Sequence, residues 1–251
     1  SATHNLISIE TYDATIGIQD QVAVSHVDQT FFNHSNQLVE ATFVFPLPEG
    51  AVISELIYWF NGERYVASVR EKEEAQRAYD DKIRRYLDPA LLQELGNNLF
   101  KLNIAPINPE SEVRFEITYV ELLPYEFGFV DYTFLLSTTG LSPSPLKRVS
   151  VQVDAHASNG FKSFSAPSHA SSTATEILRM ADDHWRLTFG DEDFQPDTNL
   201  HIRFSSNRES VAMQTLTFTP TVSDSLGSES FFALWVTPPD SVTEDDVLPR
   251  N

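Results

Sequence analysis

Apolar and polar residues alternate with period two along most of this chain, the signature of strands with one buried and one wet face. Val39, Ala41, Phe43 and Phe45 fall on one side, with Glu40 and Thr42 on the other. Val113, Phe115, Ile117 and Tyr119 repeat the pattern against Arg114, Glu116 and Thr118, and Val149, Val151 and Val153 do so against Ser150, Gln152 and Asp154. Trp185, Leu187 and Phe189 follow, then Leu200, Ile202 and Phe204 against His201 and Arg203, and finally Leu216 and Phe218 between threonines. Residues 231–236 are apolar on both faces, which predicts a central or doubly covered strand. Many short strands separated by Pro, Gly, Ser and Asn clusters predict an all-β, antiparallel β-sandwich.

One stretch changes period. Over residues 70–87, Ala75, Ala78, Tyr79, Ile83, Tyr86 and Leu87 recur at three and four residues, with acid four residues before base at Glu73–Arg77, Asp80–Arg84 and Asp81–Arg85. An amphipathic helix is expected there. Asp88-Pro89 offers an N-cap and a first-turn proline for a second short helix over 89–95, ended by Gly96. The fold expected is therefore a sandwich with a two-helix insertion near 70–95. The Ser/Ala/Thr-rich residues 158–175 read as a long surface connection, and 238–251 as a polar tail or linker.

Charge narrows the partners. The 251 residues carry 36 Asp+Glu against 17 Lys+Arg, a formal charge of −19, which repels phosphate backbones and argues against nucleic acid. No apolar run reaches the roughly 18 residues of a spanning helix, so no membrane insertion is expected from this segment. Cysteine is absent, which removes disulfides, thiolate nucleophiles and Cys-ligated metal. The chain starts at Ser1 rather than Met and is read as a piece of something longer.

Signs of chemistry are few. The histidines at 4, 26, 34, 156, 169, 184 and 201 show no metal-ligand spacing, and no GxSxG elbow occurs. Asp191, Asp193 and Asp197 imitate a calcium loop, but Pro196 stands where glycine is needed and Ile202 where glutamate is. No cofactor, metal or catalytic residue is assigned, and an enzyme is not expected. Seven basic residues lie between Arg64 and Arg85. Arg84, Arg85 and Tyr86 are candidates for an anionic partner such as an acidic polysaccharide or a neighbouring acidic domain, although the interleaved acids fit a solvated, self-balanced helix better. Trp59, beside Tyr58, is a candidate aromatic platform for a sugar, with burial in a strand as the commoner fate. The Asn33-His34-Ser35 sequon reads as a plain loop rather than a glycan acceptor.

Between residues 31 and 119 the pieces Phe31-Phe32-Asn33, Glu40-Ala41-Thr42-Phe43-Val44-Phe45-Pro46-Leu47-Pro48 and Gly50-Ala51-Val52-Ile53 occur in order. After Asn61-Gly62 come Glu71-Lys72-Glu73-Glu74-Ala75, Tyr79, Asn98-Leu99-Phe100, Asn103-Ile104-Ala105-Pro106 and Ile117-Thr118-Tyr119. This set resembles the VIT domain, named for vault protein and the inter-alpha-trypsin inhibitor heavy chains, and the 88–92 segment looks more like its bacterial members. These positions read as fold-specifying: the prolines end a strand, Gly50 permits reversal, and the acids open a helix at its positive end.

The resemblance implies a noncatalytic interaction or scaffold module of an exported protein, extracellular, at the cell surface or periplasmic. It implies a VIT domain over 1–137, a β-rich extension over 138–237 packed with it, and a linker over 238–251 leading to a metal-binding von Willebrand type A domain beyond Asn251. A protein partner or that adjoining domain is the expected contact. A carbohydrate-binding module, and after it a hydrolase with a site invisible in sequence, are the alternatives.

Overall fold

The computed structural model of the chain describes residues 6–60, 63–67, 69–70, 90–96, 99–139, 142, 144–207, 212–218 and 230–237. Two units are resolved, Ser1–Ser205 and Ser206–Asn251.

The first unit is built on a sheet of eight strands. Its middle is the hairpin of β1 (Ile7–Gln19) and β2 (Val22–Asn33). Tyr12, Ala14, Ile16 and Ile18 of β1 face the core, while Asp13, Thr15 and Gly17 between them face out. The reversal places Asp20 at φ 53°, a left-handed conformation that aspartate tolerates better than most residues. The Asp20 carboxylate accepts from the Ser158 N–H at 2.8 Å, which ties the turn to a segment 138 residues further along the chain.

Two smaller sheets complete the unit. The remaining strands in chain order are β3 (Val39–Pro46), β4 (Val52–Phe60), β5 (Glu63–Ala67), β6 (Val69–Arg70), β7 (Ala90–Gly96), β8 (Leu99–Ile107) and β9 (Glu112–Leu122). After them come β10 (Tyr125–Glu126), β11 (Phe129–Phe134), β12 (Leu146–His156), β13 (Phe161–Ser165), β14 (Thr175–Ala181), β15 (His184–Phe194) and β16 (Leu200–Ser206). The large sheet runs β14-β15-β12-β1-β2-β9-β4-β5, one four-stranded sheet runs β10-β11-β16-β13, and another runs β3-β8-β7-β6. Residues from all three sheets share one buried cluster. Tyr12 meets Phe134 at 5.9 Å between ring centres, Ser25 and Tyr132 share a hydrogen bond of 2.9 Å, and Phe164 stacks on Trp185 at 5.4 Å. These contacts join the β11/β13 sheet to the large one, as in a sandwich.

All-β architecture is as expected, with three corrections. The large sheet is mixed, because β12 lies parallel to β1 from Thr11↔Arg148 to Gln19↔His156. A period-two pattern marks strands but is blind to their direction, which chain connectivity decides. The expected helix over 89–95 is strand β7, antiparallel to β8 from Ala90↔Ile104 to Gly96↔Leu99. Leu91, Leu92 and Leu95 fit either period over so short a run, and pairing with β8 overrides a local capping signal. Residues 71–87 of the other expected helix lie outside the described residues, and Arg70 ends β6. Third, the expected surface connection of 158–175 holds strand β13 and a 3-10 turn at Pro167–His169, because Phe161 is buried and Phe164 packs against the core. Gly50 does sit at φ 79°, the reversal expected of it.

The second unit holds the hairpin of β17 (Ala212–Phe218) and β18 (Phe231–Thr237), paired from Ala212↔Thr237 to Phe218↔Phe231. The expected central strand is thus paired on one side among the described residues, and Phe232, Leu234 and Val236 are exposed.

Candidate functional site

The outward face of the large sheet carries an extended polar array. Trp59 lies near the end of β4, directly opposite Arg114 of β9. The Arg114 guanidinium sits over the indole at 5.3 Å from the ring centre, and the indole N–H donates to Glu116 at 2.6 Å. Arg114 also grips Asp28 of β2 through Nε at 2.9 Å and Nη2 at 2.6 Å, and reaches Glu116 at 3.1 Å. Those hydrogen bonds donated to Asp28, ahead of burial and of the nearby carboxylates, hold the arginine proton even more firmly than usual.

The array continues across the sheet. Asp28 faces Asp13 directly in the β1–β2 register. Like charges placed so repel, and each is held from its far side by an arginine, Asp28 by Arg114 and Asp13 by Arg148 at 2.5 Å. Further along β12, Asp154 accepts from His184, Arg186 and Gln152, each at 2.8 Å, and its pKa falls because these three outweigh the effect of burial. On the β11/β16 sheet Asp131 is held alike by His201 at 2.8 Å and Arg203 at 2.7 Å. A His-x-Arg pair on alternate strand positions therefore clamps an aspartate twice.

Beside this ladder the same face turns apolar. Val24 of β2 pairs with Val120 of β9, which pairs with Val52 of β4. Val24, Val52 and Leu122 are exposed. Gly17 lies opposite Val24, and a side chain added there would meet nothing within 4 Å. No internal packing demands glycine at that position, and its absence of side chain keeps the face flat.

One cluster brings the makings of a hydrolase together. Ser8 and Glu10 of β1 and His34 meet with Lys147 of β12: Ser8 Oγ lies 2.6 Å from His34 Nε2 and donates to Glu10 Oε1 at 2.7 Å. The serine proton goes to Glu10, so His34 Nε2 must donate to Ser8 rather than take its proton. Glu10 faces that same nitrogen at 3.4 Å, where a triad carboxylate would hold the other one. Ser8 is also buried. Burial alone would raise the Glu10 pKa, but hydrogen bonds from Lys147 and Ser8 and the charges around it bring it below the ordinary range. The cluster staples the ends of three strands. Among the described residues no group of three or more His, Asp or Glu is placed to hold a metal ion.

Of the residues singled out in sequence, Trp59 stands in the array, half-buried and with one ring face under Arg114. Arg84, Arg85 and Tyr86 lie outside the described residues. Asn33 of the sequon is 0% exposed, so it is unavailable to a glycan in the folded chain. Asp13, Asp28 and Arg148 were not foreseen, although charges at alternate positions of otherwise apolar strands mark such a face.

The fold and this face define a β-sandwich module that presents a charged sheet surface with an apolar margin. Residues 9–119 match the family model of the Vault protein inter-alpha-trypsin domain, and the chain carries a VIT domain. It is 30% identical over 137 residues to human Protein mono-ADP-ribosyltransferase PARP4, covering 55% of this chain and 8% of that one. Human Inter-alpha-trypsin inhibitor heavy chain H4 is 27% identical over 199 residues, 78% of this chain and 20% of its own. The rat von Willebrand factor A domain-containing protein 5A is 25% identical over 122 residues, 48% of this chain and 15% of its own. The chain thus spans a fifth or less of the length of these relatives. A crystallised protein of Legionella pneumophila shares the fold, with a TM-score of 0.54 at 14% identity over 80% of this chain and 68% of its own. Among the described residues no helix is long and apolar enough to cross a membrane.

Proposed function

We propose that this chain is a noncatalytic interaction module of an exported, bacterial protein, and that the outward face of its large sheet docks a protein domain, foremost an adjoining von Willebrand type A domain. The row Val52–Val120–Val24 beside Gly17 carries this reading, because solvent-facing apolar residues in register across three strands, next to a bare backbone position, suit the approach of another protein surface. The VIT match over 9–119 and a relative named for its von Willebrand factor A domain support the choice of partner. The ion-pair ladder around Arg114 supplies orientation more than affinity. A sugar platform at Trp59 is disfavoured, since Arg114 covers one face of the ring and Glu116 holds its N–H.

The test uses the purified chain and the von Willebrand type A domain of its parent protein in calorimetric titration. Val24→Lys with Val52→Lys is expected to weaken binding at least tenfold, and Trp59→Ala several-fold, with the circular dichroism of each variant unchanged. Absence of binding between the intact pair at millimolar concentration, or full affinity in the double lysine variant, refutes the docking face. Tagging the parent protein and fractionating cells tests the exported location.

A further inference from the structure

The strand pair β10–β11 closes on a loop of two residues, since Glu126 pairs with Phe129 and Phe127 and Gly128 lie between them. Both have positive φ, 52° for Phe127 and 87° for Gly128, the mirror-image backbone that a two-residue hairpin favours. Glycine suits that backbone, and asparagine or aspartate is the usual residue before it. Phenylalanine suits it poorly, because its Cβ crowds the following carbonyl and its ring has no polar atom to bond the turn in compensation. Among the described residues the other non-glycine positions of positive φ are Asp20, Glu110 and Asp193, all acidic.

Nothing inside the fold recovers this cost. The Phe127 side chain is 97% exposed, so its ring packs no core. The base of the hairpin, by contrast, is held: Val130 is buried and paired with Phe204 of β16, Tyr125 packs against the core, and the Arg203 guanidinium sits over Phe129 at 5.6 Å. A strained, exposed ring is thus presented on a short, anchored hairpin, with little freedom left to lose on binding.

The tip also borders the apolar margin of the docking face. Leu122 is exposed, pairs with Val22 at the start of β2 and precedes Phe127 by five residues, which places their Cα atoms within about 18 Å of one another. Pro124, between them, is exposed as well. An ordinary interface covers about 800 Å² of each partner, roughly 30 Å across, so a partner seated over this end of the large sheet reaches the tip.

We propose that Phe127 is the anchor by which the adjoining von Willebrand type A domain is held, its ring entering an apolar pocket on that domain while Val24, Val52 and Leu122 cover the surface around it. This rests on the docking reading above and adds the residue that carries the affinity, since a few large aromatic side chains seated in pockets dominate most interfaces. A bilayer suits the tip less, because Glu126 stands beside the ring and the chain carries a formal charge of −19.

Calorimetric titration of the full chain with the von Willebrand type A domain of its parent protein, alongside thermal denaturation of the chain alone, tests this. Phe127→Asn is expected to raise the melting temperature by about 2 °C, because the turn is relieved of strain, and to weaken binding at least tenfold. Phe127→Tyr, which keeps the ring on the same backbone, should hold the affinity within about threefold and leave the melting temperature unchanged. Full affinity in Phe127→Asn, or a loss in Phe127→Tyr as large as in Phe127→Asn, overturns the proposal. A lowered melting temperature in Phe127→Asn does so too, since the ring would then serve the fold. Failure of the broader reading looks different: full affinity in the Val24→Lys, Val52→Lys variant with loss in Phe127→Asn refutes the sheet face and leaves the anchor, whereas an intact chain that does not bind refutes both. Co-sedimentation with phosphatidylcholine vesicles that disappears in Phe127→Asn would assign the tip to lipid and overturn the proposal.

Discussion

Two buried side chains show how much a single residue decides here. Asn33 spends its amide on the carbonyls of Gln37 at 2.9 Å and Ile107 at 3.2 Å, while its oxygen accepts from Ser35 N–H at 3.0 Å and Oγ at 2.7 Å. It thereby fixes the loop after β2 against the turn between β8 and β9. Asn33→Ala removes these bonds, the one to Ile107 fully buried, so chemical denaturation should show a loss of about 3 kcal/mol. Glu121 is the opposite case. It is 7% exposed, its Oε1 has no partner, and burial pushes its pKa up to about 7 from the usual 4.5. A carboxyl held protonated in the fold contributes most below the unfolded pKa and loses that contribution as pH rises through the folded one. Stability should therefore decline between pH 4.5 and 7 by about 2 kcal/mol from this residue. Glu121→Gln should match the native chain at pH 4 and exceed it at pH 8 by that amount. Equal denaturation midpoints at pH 8 would contradict the assignment.

Among the elements, β1 and β2 rely on help from their neighbours. Their facing aspartates, Asp13 and Asp28, would repel without Arg148 on β12 and Arg114 on β9. Half-exposed ion pairs of this kind contribute little singly, about 0.5 kcal/mol each. Because the two pairs meet at the aspartates, removing both arginines should cost more than the sum of the single losses. A double-mutant cycle on Arg114→Ala and Arg148→Ala should give a coupling of about 0.5 kcal/mol at low salt that fades at 1 M. Strict additivity at low salt would mean that the two arginines are not coupled through the aspartates between them.

At the scale of the whole molecule, the division after Ser205 carries its own expectation. The first unit holds three sheets around one core, while the second contains among its described residues a single hairpin, and an isolated hairpin is marginal in water. A chain ending at Ser205 should therefore unfold in one cooperative transition within a few degrees of the full chain. Loss of the folded near-ultraviolet spectrum on this truncation would show that the second unit is required. A fragment of residues 206–251 should show no cooperative transition.

What the sequence determined by itself was the period. Alternation at Val113, Phe115, Ile117 and Tyr119 against Arg114, Glu116 and Thr118 is a local property, and it became β9 with Val113, Phe115 and Tyr119 in the core. The Pro46 to Gly50 region likewise wrote its own turn, since proline and glycine act on their own dihedral angles. Trp59 was visible as a candidate because of its residue type, and the family pieces from Phe31 onward were legible as a pattern. Tertiary structure alone decided partnership. Whether residues 90–96 form a helix or a strand depended on β8 lying alongside, whether β12 runs with or against β1 depended on the intervening chain, and Phe161 became core because β16 was there to receive its strand's sheet. The same holds for the charged face: Arg114 meets Asp28 across 86 positions of sequence and Arg148 meets Asp13 across 135, separations over which no local periodicity carries information.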